Sequence, residues 1–278
     1  MKKIDSRIML KGKFILTTGL HIGSGGSLEP VGSDNPVIRD ALGNPFIPAS
    51  SFKGVIRSKA EEILRTVNIK KNGHNLWACE ITGGDSSWCI KKKDLDSWKD
   101  EGKNEESFDE FLYKKITENL CSACSVFGSP WMASKVKFKD LYISGDWAEI
   151  VEVRDGVAIE RDTNTAADRK KFDYEAIPGG TNFDVEISIE NASSEEIGLL
   201  FLTLNQFKIG GLTLGGKTTG GLGRGEIEWT SLEEITRDNL IDYLVTGVGR
   251  KYEGASLESY IAEKISSFVE EIRRSQNA

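Results

Sequence analysis

The order of the periodic segments is the feature that most constrains how this chain can fold. Four segments of alternating apolar and polar residues and two amphipathic segments follow one another as strand, helix, strand, strand, helix, strand. This order is typical of the split βαβ, or ferredoxin-like, plan, so the sequence predicts an α+β fold. The predicted strands lie near residues 7–17, 135–145, 182–190 and 225–229, and the predicted helices near 51–67 and 194–207.

Three further segments are predicted to elaborate this plan. Residues 68–130 are polar and rich in turn formers, and we interpret them as an insertion with little core of its own. Residues 149–178 predict a hairpin with a charged tip, and residues 231–278 predict a helical C-terminal part. We find neither a repeat nor a linker, so residues 1–278 are interpreted as a single domain. Helices within these segments are predicted near 107–119, 231–246 and 256–274.

Composition and charge limit the classes of function. No apolar run approaches the ~20 residues of a membrane span, and the first residues lack the apolar segment of a signal peptide. We therefore expect a soluble, cytoplasmic protein with no membrane partner. The net charge of −7 argues against nucleic-acid binding, yet residues 1–66 carry ten basic and six acidic side chains. A basic face on an acidic body is compatible with RNA.

All four cysteines lie within one 46-residue window of the predicted insertion. Cys121 and Cys124 form a C-x-x-C pair, which is a typical half-site for zinc, and Cys79 and Cys89 precede them. In a cytoplasmic chain this clustering favours a structural Zn²⁺ over disulfides, with free thiols as the alternative. His74 lies five residues before Cys79 and competes with Cys89 for one ligand position.

One acidic residue stands in a turn ahead of a helix start that carries two cations. Asp34 is flanked by small polar residues, while Lys53 and Arg57 lie one turn apart on the predicted helix. Ser50 or Ser51 is predicted to cap that helix. A helix start with nearby cations suits a phosphate, and an acid beside it suits a reaction at that phosphate or a metal. The alternative for Asp34 is a turn acid that bonds its own backbone.

Eight glycines fall between residues 208 and 226. Residues 211–218 fit the phosphate-loop pattern, but that pattern needs a strand before it and a helix after it. Here a predicted helix precedes and a predicted strand follows, so nucleotide hydrolysis is a distant alternative. We expect instead that the glycines allow close backbone approach, with Lys217 and Arg224 meeting phosphates. A flexible surface loop is the other interpretation.

The remaining candidates are a histidine and the tip of the hairpin. If His74 binds zinc, His21 is the histidine left for acid–base chemistry, and it either contacts RNA, takes part in chemistry or is a polar turn residue. Arg161 belongs to a charged hairpin tip, which is either solvated or wedged into a nucleic-acid duplex. Arg39 and Asp40 could form an ordinary turn pair. No second catalytic carboxylate is evident in the sequence.

Together these segments resemble the RAMP superfamily, specifically the repeated backbone subunit of type III CRISPR effector complexes. They occur in the order of the family, and the block from residue 33 to residue 57 is the most specific. The segments that carry the resemblance are "GLHIGSGG" (19–26), "SDNPVIRD" (33–40), "IPASSFKGVIR" (47–57), "CSACSVFGS" (121–129) and "TTGGLGRGEIEW" (218–229).

The resemblance implies an RRM-like palm, a zinc-bearing insertion and a thumb hairpin. Members stack along a guide RNA in antiviral ribonucleoprotein complexes, and each thumb kinks the guide–target duplex and flips out a base. Active members cleave the target beside the kink with a divalent ion, Mg²⁺ or another, and an aspartate at the position of Asp34. The implied partners are the guide CRISPR RNA, complementary target RNA, further copies or related RAMP subunits, and other type III effector subunits.

The resemblance therefore implies a guide-RNA-binding subunit with metal-dependent endoribonuclease activity at Asp34. A non-catalytic RNA-binding subunit of the same complex is one alternative. A guide-processing RAMP endoribonuclease, which would use His21 without a metal, is the other. The residues expected to contact RNA are His21, Arg39, Ser50, Ser51, Lys53, Arg57, Arg161, Lys217 and Arg224.

Overall fold

The computed structural model describes residues 4–25, 33–70, 75–145, 147 and 149–277. The strands are β1 (Ser6–Leu16), β2 (Phe46–Ile47), β3 (Val136–Phe138), β4 (Leu141–Tyr142), β5 (Glu152–Ile159), β6 (Ala166–Ala176), β7 (Asn182–Glu190), β8 (Gly225–Thr236) and β9 (Arg250–Tyr252). The α-helices are α1 (Ala49–Val67), α2 (Lys92–Glu101), α3 (Phe108–Asn119), α4 (Ser122–Phe127), α5 (Ser194–Leu204), α6 (Leu240–Thr246) and α7 (Gly254–Asn277).

An antiparallel sheet with the spatial order β3–β7–β1–β8–β9 forms the centre of the molecule. Its middle strand, β1, alternates buried and more exposed residues, as a strand with one covered face should. The register places Leu10 opposite Ile187 of β7 and Leu232 of β8, and all three side chains are buried. The protein thus has a mixed α and β architecture with an antiparallel sheet. The strands predicted at 7–17 and 182–190 are confirmed as β1 and β7.

Helices α1 and α5 supply the core against this sheet. The buried residues of α1 are Phe52, Ile56, Ala60 and Leu64, spaced one turn apart along one face. Phe52 packs edge-on to Phe14 of β1, with ring centroids 5.9 Å apart. Both helices lie where the sequence predicts them, because each carries an apolar stripe of helical period.

The C-terminal part differs from the prediction of a helix over residues 231–246. Strand β8 continues to Thr236, because residues 231–236 pair with the start of β1, and only α6 (Leu240–Thr246) is helical there. Strand β9 then adds to the outer edge of β8. The predicted last helix is present as α7, which packs on α5.

Two predictions for the middle of the chain also need correction. The strand expected over 135–145 is divided, since β3 pairs with β7 whereas β4 pairs with β2 in a separate sheet. Residues 68–130, which we expected to have little core of their own, contain α2, α3 and α4 and have more core than expected. Their apolar side chains join the main hydrophobic cluster, among them Leu76, Ile90, Leu95, Ile116 and Leu120.

The hairpin predicted over 149–178 is formed by β5 and β6, which pair with each other as a separate sheet. The base of the hairpin contacts the body through isolated bridges, from Asn35 to Tyr174 of β6 and from Leu20 to Ile177, which directly follows β6. Within the described ranges, none of the helices has the length and apolar character needed to cross a bilayer.

Candidate functional site

The loop that carries Asp34 is tied to β6 by reciprocal hydrogen bonds. The Asp34 amide donates to Asp173 Oδ1 at 2.6 Å, and the Asp173 amide donates to Asp34 Oδ2 at 3.1 Å. The Ser33 hydroxyl also donates to Asp173 Oδ1, at 2.7 Å. These bonds lower the pKa of Asp173, with the Ser33 hydroxyl as the main cause and the Asp34 amide second. An exposed carboxylate, Asp34, is therefore held at the base of the hairpin.

Two residues further along β6, Glu175 fixes the next part of the same loop. Its Oε2 accepts hydrogen bonds at 3.0 Å from the Val37 amide and from Arg39 Nη2. Its own amide donates to the Asn35 carbonyl at 3.0 Å. Alternation along a strand directs Asp173 and Glu175 to one face, so both reach the loop. Arg39 is consequently held by Glu175 and by the Gly43 carbonyl.

His21 also contacts the base of the hairpin. Its side chain is buried, Nδ1 lies 2.7 Å from the Glu175 carbonyl oxygen, and its ring meets the Tyr174 ring edge-on. Because a carbonyl only accepts hydrogen bonds, this contact assigns the proton to Nδ1. The ring thus helps to pack the hairpin base against the body of the protein.

The glycine-rich segment crosses directly over His21. The Gly216 amide donates to the His21 carbonyl at 2.8 Å, and Gly215 has a φ of +83°. A Cβ at Gly215 would collide with that carbonyl, so glycine is required there for both reasons. The segment ends in a 3-10 turn (Thr218–Gly220) followed by β8, which is not the helix that a nucleotide-binding phosphate loop needs.

The glycine-rich segment places the Lys217 side chain at the base of the hairpin. Lys217 Nζ lies 4.5 Å from the centroid of the Phe172 ring and 5.3 Å from that of Tyr174, within cation–π range. Arg224 is exposed, and its backbone pairs with Thr18. Arg161 is exposed in the turn of the hairpin.

The start of α1 differs from the predicted serine cap. The N-cap residue is Pro48, and neither Ser50 nor Ser51 caps the helix. Instead Asp140 Oδ1 accepts the Ala49 amide at 2.7 Å, which places a carboxylate from a distant segment at the helix start. The prediction failed because this partner lies 91 residues away in sequence.

Lys53 and Arg57 line a groove of about 380 Å³ together with residues 127–130 and 132–134. The pKa of Lys53 is lowered, first by burial and second by the nearby Arg57 charge. Lys53 and Arg57 thus lie beside the segment that follows α4, whereas Asp34, His21, Arg39 and Lys217 lie at the hairpin base.

The guanidinium of Arg57 donates hydrogen bonds to three groups of the protein itself. Its Nε donates to Glu61 Oε1 at 2.9 Å, Nη1 to the Gly128 carbonyl at 3.0 Å, and Nη2 to Cys124 Sγ at 3.6 Å. One turn beyond Glu61, Arg65 Nη2 donates to Glu61 Oε2 and to the Cys79 carbonyl, both at 3.0 Å. This face of α1 is thus hydrogen-bonded to the segments that contain the cysteines.

The four cysteine sulfur atoms form a cluster, all within 4.8 Å of one another, and none is in a disulfide. Three are buried and Cys89 is half-buried. Hydrogen bonds from Cys121 and Cys124 lower the pKa of Cys79, and bonds from the same two residues lower that of Cys89 to about 7. Four convergent soft donors suit a tetrahedral metal such as zinc. His74, the alternative ligand, lies outside the described residues.

Sequence reasoning missed the two carboxylates that organise the Asp34 loop. Asp173 and Glu175 alternate within "KFDYEA", a strand-like pattern that indicated their shared face but not the loop they meet. Their partners lie 139 and 138 residues away, at Asp34 and Val37. Glu61 was likewise overlooked, because its role depends on two arginines that flank it by one helical turn.

Comparison with known proteins adds a family match over most of the chain. The family model described as the RAMP superfamily matches residues 13–226. That range begins within β1, contains β7, helices α1 and α5, the cysteine cluster and the hairpin, and stops within β8.

Several curated relatives share the printed name "CRISPR system Cms endoribonuclease Csm3". The one from Methanocaldococcus jannaschii is 40% identical over 85 residues, 28% of this chain and 34% of the relative. The one from Enterococcus italicus is 49% identical over 78 residues, 27% and 36% respectively. The one from Methanothermobacter thermautotrophicus is 46% identical over 61 residues, 21% and 25% respectively. The matched part thus spans about a quarter to a third of each relative's length.

Proposed function

This chain belongs to the RAMP superfamily, and we propose that it is a guide-RNA-binding backbone subunit of a type III CRISPR effector complex, in which it cleaves complementary target RNA at Asp34. The names of the curated Csm3 relatives support both the CRISPR role and the endoribonuclease activity. Its partners would be the guide RNA, the target RNA, further RAMP subunits and other subunits of the complex, acting in the cytoplasm in antiviral defence.

The order of the elements supports an RRM-like palm. Strands β1, β3, β7 and β8 and helices α1 and α5 follow the chain order βαββαβ, with the spatial order β3–β7–β1–β8. We interpret residues 68–130 as the insertion, 149–178 as the thumb and 231–278 as the C-terminal part of one RAMP domain.

The observation that carries the proposal is the position of Asp34. It is an exposed carboxylate fixed by hydrogen bonds to the base of the hairpin. A hairpin that enters a duplex distorts the backbone of the nucleic acid at its base, so Asp34 would meet the distorted phosphodiester. Exposed apolar side chains of the hairpin suit such a wedge, among them Val153, Val157 and Ile159.

The chemistry that fits this position is transesterification within the RNA. The 2′-hydroxyl of a nucleotide attacks its own 3′-phosphate in line, the bond to the 5′-oxygen breaks, and the proton of the hydroxyl is transferred overall to the departing oxygen. A hard divalent ion such as Mg²⁺, held by the Asp34 carboxylate and the RNA, would stabilise the negative charge on the phosphate. The expected ends are a 2′,3′-cyclic phosphate and a 5′-hydroxyl.

Cations near the hairpin base would hold the RNA backbone. Lys217 on its aromatic platform, Arg224 and Arg161 are the exposed candidates, and base pairing with the guide would supply sequence specificity. Lys53 would act from the groove beside the insertion. Arg57, Arg39 and His21 would contribute mainly by packing, because each has protein partners.

We also propose that Cys79, Cys89, Cys121 and Cys124 hold one structural Zn²⁺. The cluster offers four sulfur donors and therefore leaves no ligand position open for catalysis. The ion would stabilise the insertion, and the donation from Arg57 to Cys124 would offset part of the negative charge of the four thiolates.

The test is cleavage of a guide-complementary RNA by the reconstituted complex, with Mg²⁺ or with EDTA. We expect regularly spaced cuts that disappear with EDTA and with Asp34→Ala, while RNA binding is retained. Asp238→Ala, which removes an exposed acid from a turn of the C-terminal part, is the control and should cut normally.

The two alternatives predict different results, the first in that assay and the second with a guide precursor as the substrate. Unchanged cutting by Asp34→Ala would make this chain a non-catalytic RNA-binding subunit. Cutting of the guide precursor that resists EDTA but is lost in His21→Ala would indicate a guide-processing enzyme. The buried His21 ring, with Nδ1 held by the Glu175 carbonyl, disfavours that second alternative.

A further inference from the structure

Asp173 lies where the hairpin meets the loop of Asp34, and it forms several hydrogen bonds with that loop whose role the proposed function does not explain. Its Oδ1 receives both the Asp34 amide and the Ser33 hydroxyl. Its backbone contributes as well, because the amide donates to Asp34 Oδ2 and the carbonyl accepts from Asn35 Nδ2 at 3.1 Å. One residue of the hairpin therefore contacts three consecutive residues of the loop.

The Asp173 carboxylate accepts hydrogen bonds from the loop. Two hydrogen bonds at 2.6 and 2.7 Å converge on a single oxygen, Oδ1, and both donors belong to the loop. Hydrogen bonds to an ionised carboxylate are shorter and stronger than those between neutral groups. The carboxylate thus acts as an acceptor that orders the Asp34 backbone.

We propose that Asp173 is a positioning residue for cleavage, which fixes the Asp34 loop to the hairpin as a hydrogen-bond acceptor. This inference rests on the proposed function, and it extends that function by linking the reactive carboxylate to the element that distorts the RNA. Since Glu175 repeats the attachment at Val37, any displacement of the base of β6 carries the loop with it. Cleavage is then coupled to the placement of the hairpin in the duplex.

The chain offers a matched control on the neighbouring strand. Asp155 of β5 lies directly opposite Asp173 in the ladder, but its carboxylate pairs with Lys171 at 3.1 Å and not with the loop. The variants are therefore Asp173→Ala, Asp173→Asn and Asp155→Ala, because asparagine keeps an acceptor oxygen of similar geometry without the negative charge.

The first readout needs no cleavage. In the purified full chain, amide hydrogen exchange of residues 33–40 should become about tenfold faster in Asp173→Ala, increase by a smaller factor in Asp173→Asn, which keeps the acceptor but loses the charge, and not change in Asp155→Ala. Unchanged exchange in Asp173→Ala would overturn the inference.

The second readout is single-turnover cleavage in the assembled complex at saturating target RNA. We expect a loss of about tenfold in rate for Asp173→Ala with the RNA dissociation constant unchanged, and partial rescue by Asp173→Asn. Loss of cleavage in Asp173→Asn with normal loop protection would overturn the inference, since it would make the charge itself a reacting or metal-binding group. If the wild-type complex does not cut the target RNA, the proposed function is wrong. The exchange experiment still tests whether Asp173 fixes the loop, because it does not depend on cleavage.

Discussion

The contact between α5 and α7 depends on the absence of a side chain at Gly198. A Cβ built at this position would lie 2.8 Å from Phe268 Cβ and 2.9 Å from the carbonyl carbon of Lys264, and closer still to the Lys264 oxygen. Two of these atoms belong to the backbone of α7, so the substitution Gly198→Ala cannot be accommodated by a change of rotamer. The two helices must move apart.

Two effects of opposite sign set the magnitude. Overpacking of a buried contact costs about 1–3 kcal/mol, and Phe268, beside the new methyl group, is only 1% exposed. Alanine in a helix interior returns about 0.5–1 kcal/mol relative to glycine. We therefore expect Gly198→Ala to lower the free energy of unfolding by up to about 2.5 kcal/mol, which corresponds to a melting temperature lower by as much as roughly 5–10 °C.

The assay is thermal and urea unfolding followed by circular dichroism, with Gly54→Ala as the matched control. Gly54 also lies inside a helix, α1, but a Cβ there would have no atom within 4 Å apart from the adjacent residues and the backbone of the helix itself. That variant gains helix propensity without a clash, so its stability should rise by about 0.5–1 kcal/mol. If Gly198→Ala proves as stable as Gly54→Ala, the close packing of α7 on α5 is refuted.

Two further predictions concern the cysteine cluster and the Asp34 loop. After loading with Zn²⁺, Arg57→Ala should release the proposed zinc to a colorimetric chelator about tenfold faster than wild type, with Arg57→Lys in between, because the guanidinium donates to both Cys124 Sγ and the Gly128 carbonyl. Equal rates of release would exclude this role. The lowered pKa of Asp173 means that its contribution is fully present above the ordinary aspartate pKa of about 4 and is lost as the pH falls through the lower folded value. Amide exchange of the loop measured by NMR against pH should show that transition in wild type but not in Asp173→Asn.

Segments whose own pattern decides their structure were predictable from the sequence. Strands β1 and β7 alternate, α1 and α5 carry apolar stripes, and their order was sufficient to predict an α+β fold. The cysteine cluster was also predictable in composition, since all four sulfur atoms do converge. In each case the information lies within a short stretch of chain.

Features that depend on distant partners were not predictable. Leu232 and Ile235 are spaced like one face of a helix, yet pairing with β1 makes residues 231–236 a strand. The start of α1 uses Asp140 rather than an adjacent serine, and Asp34 meets Asp173 across 139 residues. Local propensity carries no information about such partners, which only the assembled tertiary structure brings together.

The central position of β1 has a consequence for how the protein is made. Met9 pairs with Ser188 on one side and with Glu233 on the other, so its neighbours lie about 180 and 220 residues further along the chain. At roughly 5–20 residues per second, the nascent strand waits on the order of ten seconds or more for its first partner. During that interval both edges of an apolar strand are open on the ribosome. Efficient production in the cell should therefore depend on chaperones that bind the N-terminal segment until synthesis of β8 closes the sheet.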